Sequence, residues 1–219
     1  MSMSPWYNVI NTPLLLAVRS GRTNIVELFL HHGALVNLET DISALGYAAA
    51  LGDYNVTSLL LHYGAHVDPV GARCGLPPLG CAMGLGYASR EFNPHSLYWP
   101  SRDGRSRPSG DDEYVAVIQL LLAHGADLNF QSDDTFQSTC LHRIPKSPWG
   151  STEKLFGLFL DSGADVNAQD SKGDTPLHVA LARDAFSGNT RVQKEFVRLL
   201  LRSGADVNLQ NRGEYWLRW

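Results

Sequence analysis

The chain has 219 residues, of which 44% are hydrophobic and 18% are charged, and its formal net charge is -4. This composition is too apolar for a disordered chain, and it lacks the basic surplus that general nucleic-acid binding requires. No segment approaches the roughly 18 consecutive apolar residues of a membrane span, and the first residues do not form a leader pattern, so we expect a cytoplasmic or nuclear protein without nucleic-acid or membrane partners.

The predicted elements follow one repeated order along the chain, a short helix and then a second helix that ends in a Gly-Ala turn. Each first helix begins at Thr-Pro-Leu or a variant, in which a Thr or Ser hydroxyl can cap the helix and proline suits its first turn. Each second helix has an apolar i, i+3, i+4 stripe, and the glycine after it supplies a left-handed ending. In chain order, the starts lie at Thr12, Ser43, Pro77, Thr139 and Thr175, and the endings at Gly33, Gly64, Gly125, Gly163 and Gly204.

The most regular unit combines Thr-Pro-Leu-His-Val-Ala at 175–180 with Gly-Ala-Asp-Val-Asn at 204–208. These motifs resemble the ankyrin repeat family, and the resemblance extends over about residues 7 to 217. It implies an all-α ankyrin-repeat solenoid of five helix-turn-helix repeats with β-turn or hairpin connections. It also implies a scaffold hydrogen-bonding role for His142 and His178, which occupy the family's Thr-Pro-Leu-His position. The resulting division is a single domain, 1–219, with repeats at about 7–37, 38–68, 69–129, 130–167 and 168–208 and a partial repeat at 209–219.

Extra residues distinguish the third, fourth and fifth units from the first two. They number 27, 3 and 8, and in each unit they fall between its two helices. Such additions cost little and emerge side by side along one edge of a repeat stack. The longest insert, at 87–110, has a local charge surplus of +2 and contains four aromatic residues, Tyr87, Phe92, Tyr98 and Trp99. These aromatic side chains either pack back on the stack or form a contact surface.

The resemblance implies a concave groove formed by the turn tips and the exposed faces of the first helices. The residues expected there mix both charge signs with apolar members, which suits a protein or peptide held by a few aromatic and arginine anchors. We therefore predict an interaction module, or scaffold, whose partner is bound through the groove and the insert. The predicted partner-binding residues are Arg19, Tyr47, Arg73, Tyr98, Trp99, Phe136, Arg143, Trp149, Lys172 and Arg183.

No catalytic signature accompanies the repeats. The sequence has no nucleophile elbow, phosphate loop, H-E-x-x-H motif or dinucleotide turn, and its three cysteines form no C-x-x-C pair. We therefore expect no catalytic residues, cofactor or metal site. A second hypothesis is a small-molecule-binding protein or unconventional enzyme, in which the aromatic inserts enclose a pocket and His95 and Asp103 supply acid–base chemistry.

The last residues resemble the start of a sixth unit, with Tyr215-Trp216-Leu217 in place of Thr-Pro-Leu. A terminal repeat normally needs a polar outer face because no neighbour covers it. Three alternatives stay open. Trp216 and Trp219 fold over the fifth unit as a cap, the chain is a piece of a longer array, or it associates through this end, so that the protein is a monomer or a weak dimer.

Overall fold

The computed structural model describes residues 12–38, 43–68, 77–83, 111–131, 137–144, 152–182 and 190–212. Within these ranges the chain forms helices and turns and no strand, which confirms the all-α prediction. The chain divides into two compact units, Met1–Ala126 and Asp127–Trp219. None of the described helices has the length and apolar character needed to cross a membrane.

The first unit is built from pairs of helices whose equivalent members pack together. First helices contact first helices, and second helices contact second helices, so that each repeat covers the apolar side of the one before it. Fully buried side chains on both kinds of helix form the core. The helices are α1 (Pro13–Arg19), α2 (Thr23–His31), α3 (Ala44–Leu51), α4 (Tyr54–His62), α5 (Pro78–Ala82) and α6 (Asp111–Ala123). The packed pairs are α1 with α3, α3 with α5, α2 with α4, and α4 with α6.

Two of the predicted helix starts in the first unit, Thr12 and Ser43, are confirmed by side-chain caps. The Thr12 hydroxyl oxygen accepts a hydrogen bond from the backbone N–H of Leu15 at 3.1 Å. The Ser43 hydroxyl accepts one from the N–H of Gly46 at 3.0 Å. Because a cap pairs an amide that the first helical turn leaves unbonded, these residues determine where α1 and α3 begin.

Three of the Gly-Ala turns, those at Gly33, Gly125 and Gly163, are tied to the next repeat by an asparagine four residues after the glycine. The amide nitrogen of Asn37 donates to the carbonyl oxygen of Gly64 at 2.8 Å, and its amide oxygen accepts from the N–H of His66 at 2.8 Å. One side chain therefore pairs two backbone groups of the following repeat. In the second unit, the same two bonds join Asn129 to Gly163 and Asp165, and Asn167 to Gly204 and Asp206.

The second unit repeats this helix pairing. First helix α7 (Cys140–Arg143) packs against α9 (Pro176–Ala180), and second helix α8 (Thr152–Asp161) packs against α10 (Thr190–Arg202). The rings of Phe156 and Phe196 meet edge to face between α8 and α10, with centroids 5.3 Å apart. Both rings are fully buried, and this edge-to-face geometry is favourable for aromatic pairs.

The two Thr-Pro-Leu-His histidines form part of this scaffold, as the family resemblance implies. His142 Nδ1 accepts from the backbone N–H of Thr139 at 3.2 Å, and its Nε2 lies 2.8 Å from the carbonyl oxygen of Asp174 in the next repeat. Burial lowers the pKa of His142, although the Asp174 carbonyl and the nearby carboxylates oppose this shift. The neutral ring therefore links two successive repeats. His178 forms the equivalent bond to the N–H of Thr175 at 3.3 Å.

Candidate functional site

Two of the predicted partner-binding residues lie together in the first unit. Arg19 ends α1 and Tyr47 lies in α3, and both side chains are half-buried. The guanidinium carbon of Arg19 is 5.6 Å from the centroid of the Tyr47 ring, which is within the range of a cation–π interaction. Stacking restricts the arginine to fewer orientations, so binding a partner through its N–H groups costs less side-chain entropy.

A polar cleft of about 310 Å³ lies at the turn tips of the second unit. Its lining comes from residues on either side of 132–136, from the turn at 169–173 and from residues 210–212. The described lining residues have no apolar side chain. Four are glutamines, Gln131, Gln137, Gln169 and Gln210, and Asn211 adds a fifth primary amide. Since each amide both donates and accepts hydrogen bonds, the cleft can pair with the N–H and C=O groups of a peptide backbone.

The wall of the cleft is a tight turn organised by Asp170. One carboxylate oxygen of Asp170 accepts from the N–H groups of Lys172 and Asp174, at 2.8 and 2.9 Å. Gly173 has a φ of +74°, and a Cβ at this position would lie 3.1 Å from the backbone nitrogen of Arg212. The turn thus needs glycine both for its left-handed conformation and for the close approach of the next segment.

Hydrogen bonds connect this turn to the segment at 210–212. The N–H of Arg212 donates to the carbonyl oxygen of Lys172 at 2.8 Å, and its guanidinium Nη1 donates to the carbonyl oxygen of Ser171 at 3.0 Å. The side-chain amide of Gln169 donates to the carbonyl oxygens of Gly173 and Gln210, at 3.0 and 3.2 Å. The cleft is therefore formed before any ligand binds, which reduces the cost of ordering its side chains on binding.

The sequence prediction did not include these glutamines. Gln131, Gln169 and Gln210 each come six residues after the glycine of a Gly-Ala turn. This constant offset was visible in the sequence and places an amide at the same position of three successive turns. Arg212 was also missed, because its role depends on contacts with Ser171 and Lys172 in a different turn.

Lys172 and Arg143, both predicted partner contacts, differ in their surroundings. Lys172 is exposed at the tip of the turn that forms the cleft wall, as the prediction requires. Arg143 is half-buried on α7, and burial lowers the pKa of its guanidinium while the carboxylate of Asp170 opposes this shift. The charge of Arg143 therefore interacts with the Asp170 turn, and its role as a partner contact stays a prediction.

The remaining predicted contacts, Arg73, Tyr98, Trp99, Phe136, Trp149 and Arg183, lie outside the described residues. So do His95 and Asp103, on which the enzyme hypothesis depends, and the whole insert at 87–110. Within the described part of the chain, no group of three or more His, Cys, Asp or Glu side chains could hold a metal ion.

Comparison with known proteins identifies a family match over most of the chain. The family model described as ankyrin repeats (3 copies) matches residues 6–70 and 110–211. The chain is 30% identical over 214 residues to the nuclear factor NF-kappa-B p105 subunit of Gallus gallus, which covers 93% of this chain and 18% of that protein. It is 27% identical over 219 residues to ankyrin repeat and SOCS box protein 6 of Homo sapiens, covering 93% of this chain and 45% of that protein.

A third match covers a shorter part of this chain and is to a much longer protein. The neurogenic locus Notch protein of Drosophila melanogaster is 42% identical over 83 residues, which is 38% of this chain and 3% of that protein. The chain thus spans less than half the length of each of these three relatives.

Proposed function

Because the chain belongs to the ankyrin-repeat family, whose repeats are protein–protein interaction modules, we propose that it holds a protein or peptide partner against its turn tips and first helices. The single observation that carries this proposal is the amide-lined cleft formed by successive turns of the second unit. An extended segment of a partner lies along the cleft, and its backbone pairs with the glutamine and asparagine amides.

Charged and aromatic anchors add affinity at other positions of the proposed groove. Lys172 contacts the segment at the tip of the cleft wall. In the first unit, Arg19 stacked on Tyr47 is a separate contact for the partner. Arginine and tyrosine are the side chains that most often dominate the binding energy of protein interfaces. Within this proposal, the insert at 87–110 supplies further contacts, and the location is cytoplasmic or nuclear.

The polarity of the cleft favours a peptide over a small molecule. Small-molecule sites have volumes of about 300–1,000 Å³ and are lined mostly by apolar and aromatic side chains. The present cleft, at about 310 Å³, lies at the lower end of that range, and its lining is polar. The alternative of a small-molecule pocket or unconventional enzyme centred on His95 and Asp103 stays a prediction, because these residues lie outside the described ranges.

A peptide-display selection tests the proposal directly. Random peptides selected on the wild-type chain are measured against Lys172→Glu and Gln210→Ala. The second change removes an amide and leaves intact the backbone carbonyl that Gln169 binds. Each variant should weaken the selected peptides about tenfold, equivalent to about 1.4 kcal/mol. Lys154→Glu, at an exposed lysine of α8 rather than at a turn tip, serves as the matched charge control.

Affinities that are the same for all three variants would show that the peptides bind elsewhere, and the cleft would lose its assigned role. Circular dichroism and urea midpoints of each variant establish that the fold is retained. A selection that yields no peptide, combined with saturable binding of a small molecule, would favour the pocket alternative.

A further inference from the structure

In α2 and α4, the residues seven and three positions before the Gly-Ala glycine lie on the side that meets the following repeat. In α2 these positions are Val26 and Leu30, which are 0% and 4% exposed, and α2 packs against α4. In α4 they are Thr57 and Leu61, which are 0% and 8% exposed, and α4 packs against α6. The register therefore identifies the helix side that a neighbouring helix covers.

In α10, the side chains on this same side are more exposed to solvent. The matching positions are Val197, which is half-buried, and Leu201, which is 44% exposed. The end of α9 shows the same change. Leu181 is 64% exposed, whereas Val18 and Ala49, at the same offset from their helix starts, are fully buried. Within the described ranges, this side of the last repeat is thus less covered than the same side of the first two repeats.

Positive charge borders this open side. Helix α10 carries four cations, Arg191, Lys194, Arg198 and Arg202, and a single carboxylate, although the whole chain has a net charge of -4. Lys194, Arg198 and Leu201 are spaced i, i+4, i+7, which aligns them in one row along the helix. The guanidinium of Arg198 is 3.2 Å from the Glu195 carboxylate and its side chain is still 53% exposed. The row combines an apolar contact with accessible cations.

We propose that this row, together with Val197 and Leu181, is a second docking surface that binds an amphipathic helix with acidic flanks from a protein partner. We call it the α10 face. The apolar stripe of the partner helix packs on Val197 and Leu201, and its Asp and Glu residues lie opposite Lys194 and Arg198. The occupant is a helix because helices cover the equivalent positions of α2 and α4, and its flanks are acidic because the row carries cations.

Two other occupants fit the α10 face less well. A second copy of the chain docked through the same face would bring cations against cations, since a two-fold interface repeats one patch on both sides. A lipid surface requires the apolar side of a helix, but Phe196 and Leu200 of α10 are fully buried in the protein, which leaves too little exposed apolar area for insertion.

The test uses two synthetic peptides of about 18 residues, long enough for some helicity in water. One has a leucine stripe flanked by glutamates, and the other has lysine at each glutamate position. Fluorescence anisotropy should show saturable binding of the acidic peptide to the full chain and no measurable binding of the basic peptide. Doubly charge-reversed Lys194→Glu/Arg198→Glu should bind the acidic peptide at least tenfold more weakly and acquire binding of the basic peptide.

Two matched leucine substitutions distinguish loss of the apolar contact at the α10 face from a general loss of surface hydrophobicity. Leu201→Ser should weaken the acidic peptide several-fold. Leu28→Ser, at a leucine that is 50% exposed on α2, should leave its affinity unchanged. Lys172→Glu, at the turn-tip cleft, should also leave it unchanged, so that failure of the α10 face and failure of the cleft are distinguishable.

Four results would overturn the proposal. The first is that wild type and the charge-reversed variant bind the acidic peptide with equal affinity. The second is a concentration-dependent dimer in sedimentation that Leu201→Ser abolishes, and the third is tighter binding to phosphatidylserine/phosphatidylcholine vesicles than to the peptide. The fourth is at least tenfold tighter peptide binding by a chain that ends at Arg212, which would identify residues 213–219 as the occupant.

Discussion

Replacing Gly173 by alanine tests how the turn-tip cleft is held together. Gly173 combines a φ of +74° with a close approach of the next segment, since an added Cβ would lie 3.1 Å from Arg212 N and 3.2 Å from Asn211 Cα. Gly163 provides the matched control. Its φ is +87°, and nothing lies within 4 Å of an added Cβ. The control substitution therefore introduces backbone strain alone.

The expected magnitudes follow from this difference. A left-handed conformation costs an alanine about 1–2 kcal/mol relative to glycine, so Gly163→Ala should lower the free energy of unfolding by that amount. In Gly173→Ala the segment at 210–212 must also shift, which weakens the bonds that Arg212 makes to Lys172 and Ser171. With about 0.5–1.5 kcal/mol for each of the two hydrogen bonds, the total loss is about 2–5 kcal/mol.

Urea unfolding followed by circular dichroism measures both variants. For a denaturant slope of about 1–3 kcal/mol per molar, the midpoint of Gly173→Ala should lie roughly 0.3–3 M below that of Gly163→Ala. Adding Arg212→Ala to Gly173→Ala should restore little stability, because the two nearest atoms belong to the backbone. Equal midpoints for the two single variants would refute the contact between the turn and residues 210–212.

Three further predictions concern the scaffold and the Arg19–Tyr47 pair. Because burial lowers the pKa of His142 from 6.5 in the folded chain, stability should be unaffected well above pH 6.5, fall as the pH drops through that value, and stop falling below the folded-state pKa. As the pH is lowered across this range, the urea midpoint should fall less in His142→Gln than in the wild type. An equal fall in both proteins would contradict the assignment. A double-mutant cycle of Arg19→Ala and Tyr47→Ala should give a coupling energy of about 0.5–1 kcal/mol, and strictly additive effects would exclude the interaction. Asn167→Ala should lower the free energy of unfolding by about 1–2 kcal/mol. Asn208→Ala, at the same position of the last described turn, should lower it by less than half as much. Equal losses in the two variants would count against the inter-repeat bonds.

Most of the helix boundaries could be predicted from the sequence because they depend on neighbouring residues. The Thr12 cap reaches an amide three residues ahead, and the Gly33 ending depends on the φ of one residue, which is +80°. Such local signals repeat wherever the motif repeats, so five copies made the helical order and the family evident. The same repetition predicted that Arg19 and Tyr47 would lie on equivalent first helices.

The cleft could not be predicted in the same way. Gln131, Gln169 and Gln210 share an offset from a glycine, but whether they enclose a space depends on the separation of successive turns. That separation is set by bonds between different repeats, such as the one between Arg212 and Lys172. The charge environment of Arg143 likewise depends on the following repeat, where Asp170 lies.

The repeated pattern of capping residues, apolar stripes and glycines was sufficient to determine the α-helical repeats and the family of this protein, since each of these signals acts within a few residues. Tertiary structure alone decided which members of the pattern are accessible. Leu61 and Leu201 occupy the same position of the repeat, yet they are 8% and 44% exposed. The physical reason is that burial of a repeat's outer side depends on whether another helix packs against it, and the sequence of that repeat does not contain this information.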